Sequence, residues 1–196
     1  MKHLVYKPTL IDRANRTIGE LDVIKSISTV QIQDALSNVL RTFDKHGLVN
    51  QRGYQIFIEA FALKIFDEKR NRENPAKKLE FYVTEEEAHF SSLNTKAAQS
   101  FIKRMQGVRD KAEAQYQKIL RNKAILWTNE NHVRGVVAVA RAFQDDSFVN
   151  TSKSDLYQLV FYNFANSFKR DESAQFLTPL PVIEFLVGDS QSARRR

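Results

Sequence analysis

The side chains able to do chemistry are few and scattered. His3, His46, His89 and His132 lie far apart, with none of the spacings that present two imidazoles to one metal. There is no cysteine, which excludes disulfides and thiolate metal sites and fits a reducing compartment. Asp67-Glu68-Lys69 has the composition of a nuclease carboxylate cluster. Consecutive helical residues point in different directions, however, so these cannot share one metal and read as surface solvation. No glycine-rich phosphate loop is present, and no serine, histidine and acid arrangement forms a nucleophilic triad.

Two stretches have the residue types for binding. The first is AQFLTPLPVIEFLV, residues 174–187. A threonine oxygen at Thr178 can accept from a first-turn amide, and Pro179 supplies the helical φ at a position whose missing donor costs nothing. Pro181 still falls in that first turn, Val182 to Val187 is apolar apart from Glu184, and Gly188-Asp189 stops the helix. Open first-turn amides can receive a carboxylate or phosphate; an ordinary capped helix has the same sequence. The second stretch, Thr95 to Lys123, places Phe101, Met105, Val108, Ala112, Tyr116 and Ile119 on one side. Lys103, Arg104, Arg109, Lys111, Lys118, Arg121 and Lys123 lie opposite, as a phosphate-backbone face or a solvated one.

Composition bounds both readings. The chain has 196 residues, 42% hydrophobic and 27% charged, long enough for one good-sized domain or one domain plus the beginning of another. A net charge of +7 favours a polyanionic partner, although Arg194-Arg195-Arg196 supplies part of it. No apolar run reaches the roughly 18 residues of a membrane span, and the N-terminus lacks a secretory apolar core. The expectation is a cytoplasmic protein with no membrane partner.

The elements that must position these residues are mostly helical. Residues 1–24 read as a lead-in arm and 25–150 as a helical domain. Within it a helix capped by Ser28 or Thr29 runs to about Lys45, with Ile32, Leu36, Val39, Leu40 and Phe43 at three- and four-residue spacing, and Gly47 ends it. A second spans about Tyr54 to Lys69, its stripe of Phe57, Ala60, Phe61, Lys64, Ile65 and Glu68 apolar first and charged at its end. Residues 66–78 read as a charge-rich, solvated break, and LEFYV after it as a short extended segment. A fourth helix covers about His132 to Phe143 through Val133, Val136, Val137 and Ala140. Residues 144–154, QDDSFVNTSKS, form a polar connection and the domain boundary. Beyond it Tyr157, Phe161, Phe164 and Phe168 make an aromatic ridge suited to core packing rather than base stacking.

Residues 155–187 resemble the opening of the catalytic domain in the M subunits of type I restriction-modification systems and related DNA-adenine methyltransferases. There a Tyr-Glu helix leads into Gly-Gln-Phe-aromatic-Thr-Pro and an apolar helix. Tyr157, Gln175, Phe176, Thr178, Pro179 and Val182 to Val187 match; Gln158, Ala174 and Leu177 depart. The resemblance implies a mainly α chain: a helical bundle N-terminal domain followed by the first helices of an α/β methyltransferase domain, begun at 151–196 and left incomplete. It implies that Gln175, Phe176, Thr178 and Pro179 form an edge of the S-adenosylmethionine pocket of the full-length enzyme, with no cofactor expected on this chain alone. The family's later Asn-Pro-Pro-aromatic motif, which grips a flipped adenine, is missing, because Asn74-Pro75 is followed by Ala76 and Lys77. The expectation is therefore a piece without catalytic residues of its own, inactive by itself. The implied partners are double-stranded DNA, contacted through Lys103, Arg104, Arg109 and Lys111, the sequence-reading S subunit, a second M subunit and the R subunit. The alternative from a different class is a stand-alone helical module that binds nucleic acid or protein.

Overall fold

Gly47 ends the first helix through a specific backbone device. Helix α1, Val30–Lys45, finishes with Leu48 N donating to Phe43 O at 2.8 Å and Gly47 N to Asp44 O at 3.0 Å, while Gly47 sits at φ +66°. This nested pair satisfies the last carbonyls and needs a left-handed residue, which glycine supplies without a Cβ penalty. The reversal delivers Asn50, whose side chain accepts from Gly53 N at 2.9 Å and starts helix α2, Gln51–Glu73. Gly53 is required here for closeness: a Cβ would stand 1.6 Å from the Leu48 carbonyl oxygen.

The computed structural model describes residues 15–24, 30–120 and 123–151. After α2 come the short α3, Glu85–Ala88, then α4, Lys96–Glu113, α5, Gln117–Leu120, and α6, Glu130–Phe143. A two-residue parallel pairing joins β1, Asp22–Val23, to β2, Asp146–Ser147, in the register Asp22 to Asp146 and Val23 to Ser147. Caps at Thr84, Thr95 and Asn129 each accept a first-turn amide and set where α3, α4 and α6 begin. The described residues are thus mainly helical, and no helix among them is long and apolar enough to cross a membrane.

Helix α2 is the axis of the body. It packs against α6 on one side and α4 on another, while α1 covers α6. From Gly53 to Glu68 nearly every residue of α2 is buried, although its sequence has only a weak one-sided apolar bias. The centre is a chain of rings: Phe57 and Phe61 lie 4.4 Å apart between centroids, Phe61 and Phe148 4.7 Å, Phe61 and Phe143 5.5 Å, and Phe43 meets Phe57 edge-on at 6.4 Å. Offset and edge contacts of this kind add to the area the rings bury.

The apolar stripes expected from spacing lie where they should, with Ile32, Leu36, Val39 and Phe43 of α1 buried and Leu40 partly so. Val133, Val136, Val137 and Ala140 of α6, and Phe101, Met105, Val108 and Ala112 of α4, are buried as well.

Four expectations are corrected. The tract from Thr95 to Lys123 is not continuous: α4 stops at Glu113, and Tyr116 turns inward against Phe66, ring centroids 5.8 Å apart, before α5 begins. No glycine or proline marks that break, so burial of the tyrosine decides it. Residues 144–151 are not a loose connection. Phe148, Gln144 and Ser147 are buried, and the Gln144 side chain accepts from Val83 N at 3.0 Å. Ile18, Leu21 and Ile24, in the stretch read as an arm, are buried too, and Leu79 N donates to Arg16 O at 2.8 Å. Asp67 and Glu68, finally, are core residues rather than solvated ones.

Candidate functional site

Of the four cations expected on a DNA face, two point inward. Arg109 is only 7% exposed; its Nε donates to Glu59 Oε1 at 3.0 Å, and its second nitrogen donates to Leu120 O at 3.0 Å. Glu59, itself buried, also accepts from Ile125 N at 3.2 Å. One ion pair therefore ties α2, α4, the end of α5 and Ile125 together. Burial pushes the Glu59 carboxyl above its ordinary range, and the bonds from Arg109 and Ile125 oppose that rise.

Arg104 is committed in another way. Its guanidinium makes a two-pronged contact with Glu87, at 2.8 and 2.6 Å, donates to Tyr82 O at 3.0 Å and lies 3.8 Å over the Tyr82 ring. Glu87 also accepts from Thr84 N at 2.9 Å, so the residue that caps α3 fastens it to α4. Lys103 and Lys111 remain exposed, and Lys111 reaches both carboxylate oxygens of Glu80, at 3.0 and 2.9 Å. The charges that look like one basic face in sequence divide into two structural clamps and two surface lysines.

The second constellation was not legible as a site. Lys64, 2% exposed, pairs with Glu68 at 2.8 Å and lies 4.9 Å over the Phe148 ring. Glu68 accepts from Ser147 Oγ at 3.1 Å and Val149 N at 2.9 Å. Asp67 accepts from the amides of Glu80 and Phe81, both at 2.7 Å, and pairs with Arg70. Its carboxyl is raised by burial against the pull of these partners. Beside Lys64, Asp146 is pushed up to about 6, chiefly by burial; Lys64 opposes the shift, and Asp145, Asp22 and Glu68 add to it. The available signal was a lysine and a glutamate one turn apart within an apolar stripe, Lys64 and Glu68, since a charge pair on a buried face has to satisfy itself.

No family model, curated protein or solved structure matches the chain. Among the described residues no group of three or more histidine, aspartate or glutamate side chains could hold a metal. The inward carboxylates are occupied by cations and backbone amides, which is the chemistry of clamps. Gln175, Phe176, Thr178 and Pro179, the residues matched to a cofactor pocket, lie outside the described residues, as do Arg121, Ser28, Thr29 and the ridge of Tyr157, Phe161, Phe164 and Phe168.

Proposed function

We propose that this chain is the N-terminal region of the DNA-adenine methyltransferase subunit of a type I restriction-modification system, a helical domain followed by the first edge of the S-adenosylmethionine pocket. The observation that carries the reading is Gln175-Phe176-Leu177-Thr178-Pro179 ahead of the apolar run Val182 to Val187. A mainly helical body upstream of that segment supports it. In this reading Thr178 and the first-turn amides meet the carboxylate of the cofactor's methionine portion, and Phe176 packs against it. The helical body contributes contacts to duplex DNA and to the S, R and second M subunits. Methyl transfer would fall to a catalytic core with an Asn-Pro-Pro-aromatic motif, which these residues do not supply; alignment of amine, methyl and sulfur is its main source of rate.

The test is calorimetric titration of S-adenosylmethionine into the full-length enzyme and into its Phe176→Ala and Thr178→Ala variants. Each is expected to bind about tenfold more weakly, the loss of one packed ring or one charge-assisted hydrogen bond. Undiminished affinity in both would remove the cofactor assignment and leave the helical interaction module as the reading.

A further inference from the structure

The end of α2 and the turn after it carry the run Asp67-Glu68-Lys69-Arg70-Asn71-Arg72-Glu73-Asn74-Pro75-Ala76-Lys77-Lys78, which is of mixed sign in sequence. Folding sorts it. Asp67 turns inward onto Arg70 and the 80–81 amides, and Glu68 turns inward onto Lys64. Arg72, Lys77 and Lys78 remain exposed, with Glu73 as the one exposed acid of the run. Two negative charges are thereby withdrawn into the core, and the surface of the turn becomes basic.

The backbone holds this surface in place. Lys77 N donates to Asn74 O at 2.9 Å across a four-residue turn with Pro75 at its second position, where the ring presets φ. Leu79, just beyond, is buried and bonded through its amide to Arg16 O. Glu80 is bridged between Arg70, at 3.0 Å, and Lys111, at 2.9 Å, which holds its carboxyl below the ordinary range despite burial. Of the neighbouring acids, Glu20 faces Lys78, but it is taken up by the Thr17 amide at 2.7 Å and hydroxyl at 2.8 Å.

We propose that the last turn of α2, through Arg72, and the proline-stiffened turn after it, through Lys77 and Lys78, form a contact for the phosphate backbone of duplex DNA. The inference rests on the DNA-contacting role proposed above and moves the contact away from Arg104 and Arg109, whose charges are spent internally. Recognition is sequence-independent, because lysine and arginine on phosphate gain affinity by releasing counterions and carry no base readout. A turn fixed before binding loses little freedom on docking.

The experiment measures binding of the 196-residue chain to a fluorescent random-sequence duplex by anisotropy at several salt concentrations. The triple variant Arg72→Gln/Lys77→Gln/Lys78→Gln is expected to lower the slope of log affinity against log salt by about 2.7, three phosphate contacts at about 0.9 each. A control, Arg41→Gln/Lys45→Gln/Arg141→Gln, removes the same charge from exposed positions on α1 and α6 and is expected to leave the slope unchanged. Equal effects in both variants would reduce the contact to net charge and overturn the proposal. So would a fall confined to Lys103→Gln/Lys111→Gln, which returns the contact to α4, or loss of polyglutamate binding with the DNA slope intact, which makes the turn a protein-docking surface. A wild-type chain without affinity for duplex at low salt would overturn the DNA role itself, and leaves the cofactor reading to its own Phe176 test.

Discussion

Replacing Arg109 by methionine separates the role its sequence position suggests from the role its environment imposes. A residue on a solvated DNA face can be neutralised at little cost to stability, whereas Arg109 lies buried against Glu59. Methionine fills much of the volume but leaves the Glu59 carboxylate with backbone amides of Ile125 and Ala124 in place of a cation, and Leu120 O without its donor. Removing one partner of a buried pair costs about 3–5 kcal/mol, and the surviving amide bonds place this case near 3 kcal/mol, about a 10 °C fall in Tm for a body of this size. The double variant Glu59→Gln/Arg109→Met should recover about half of that, since glutamine keeps an acceptor for Ile125 without a stranded charge. The deficit of the single variant depends on pH. Without Arg109 the folded-state pKa of Glu59 climbs further above its ordinary 4.5, so the penalty grows as pH rises through that folded value and fades as pH falls toward 4.5. Urea denaturation of wild type, single and double variants between pH 4.5 and 8 reads all three effects. A single-variant loss below about 1 kcal/mol at pH 7, or a loss of DNA affinity with stability intact, would refute the clamp and restore Arg109 to a binding face.

Two further outcomes follow from the same geometry. Asp146 is raised from an ordinary 3.8 to about 6, so its contribution to stability is complete below 3.8 and is lost as pH climbs through 6. Asp146→Asn should therefore stabilise the protein at pH 7.5 by up to about 3 kcal/mol, two pKa units at about 1.4 kcal/mol each, and flatten the stability profile between pH 4 and 7; a neutral or destabilising effect at pH 7.5 would count against the burial of the Asp146 carboxyl as the main cause of its raised pKa. Gly53→Ala places a methyl 1.6 Å from the Leu48 carbonyl oxygen, and displacing that backbone should cost about 3 kcal/mol or more, seen as a collapse of Tm; an unchanged melting curve would mean that the turn at 47–49 shifts freely.

What the sequence by itself determined was local. The apolar faces of α1, α2, α4 and α6 and the glycine stop at Gly47 follow from the 3.6-residue period and from turn chemistry, interactions that close within a few residues. The fate of charges was decided only by tertiary structure. Arg104 and Arg109 occupy helix positions that look solvent-facing until α3 and α2 bring Glu87 and Glu59 against them, from 17 and 50 residues away. Lys64, Asp67 and Glu68 look like a solvated helix end until β2 and the 79–83 segment cover them. A charge buried or exposed differs by which partners meet it across the fold. Periodicity along one helix reports which residues share a face, and says nothing of what the rest of the chain will lay upon that face.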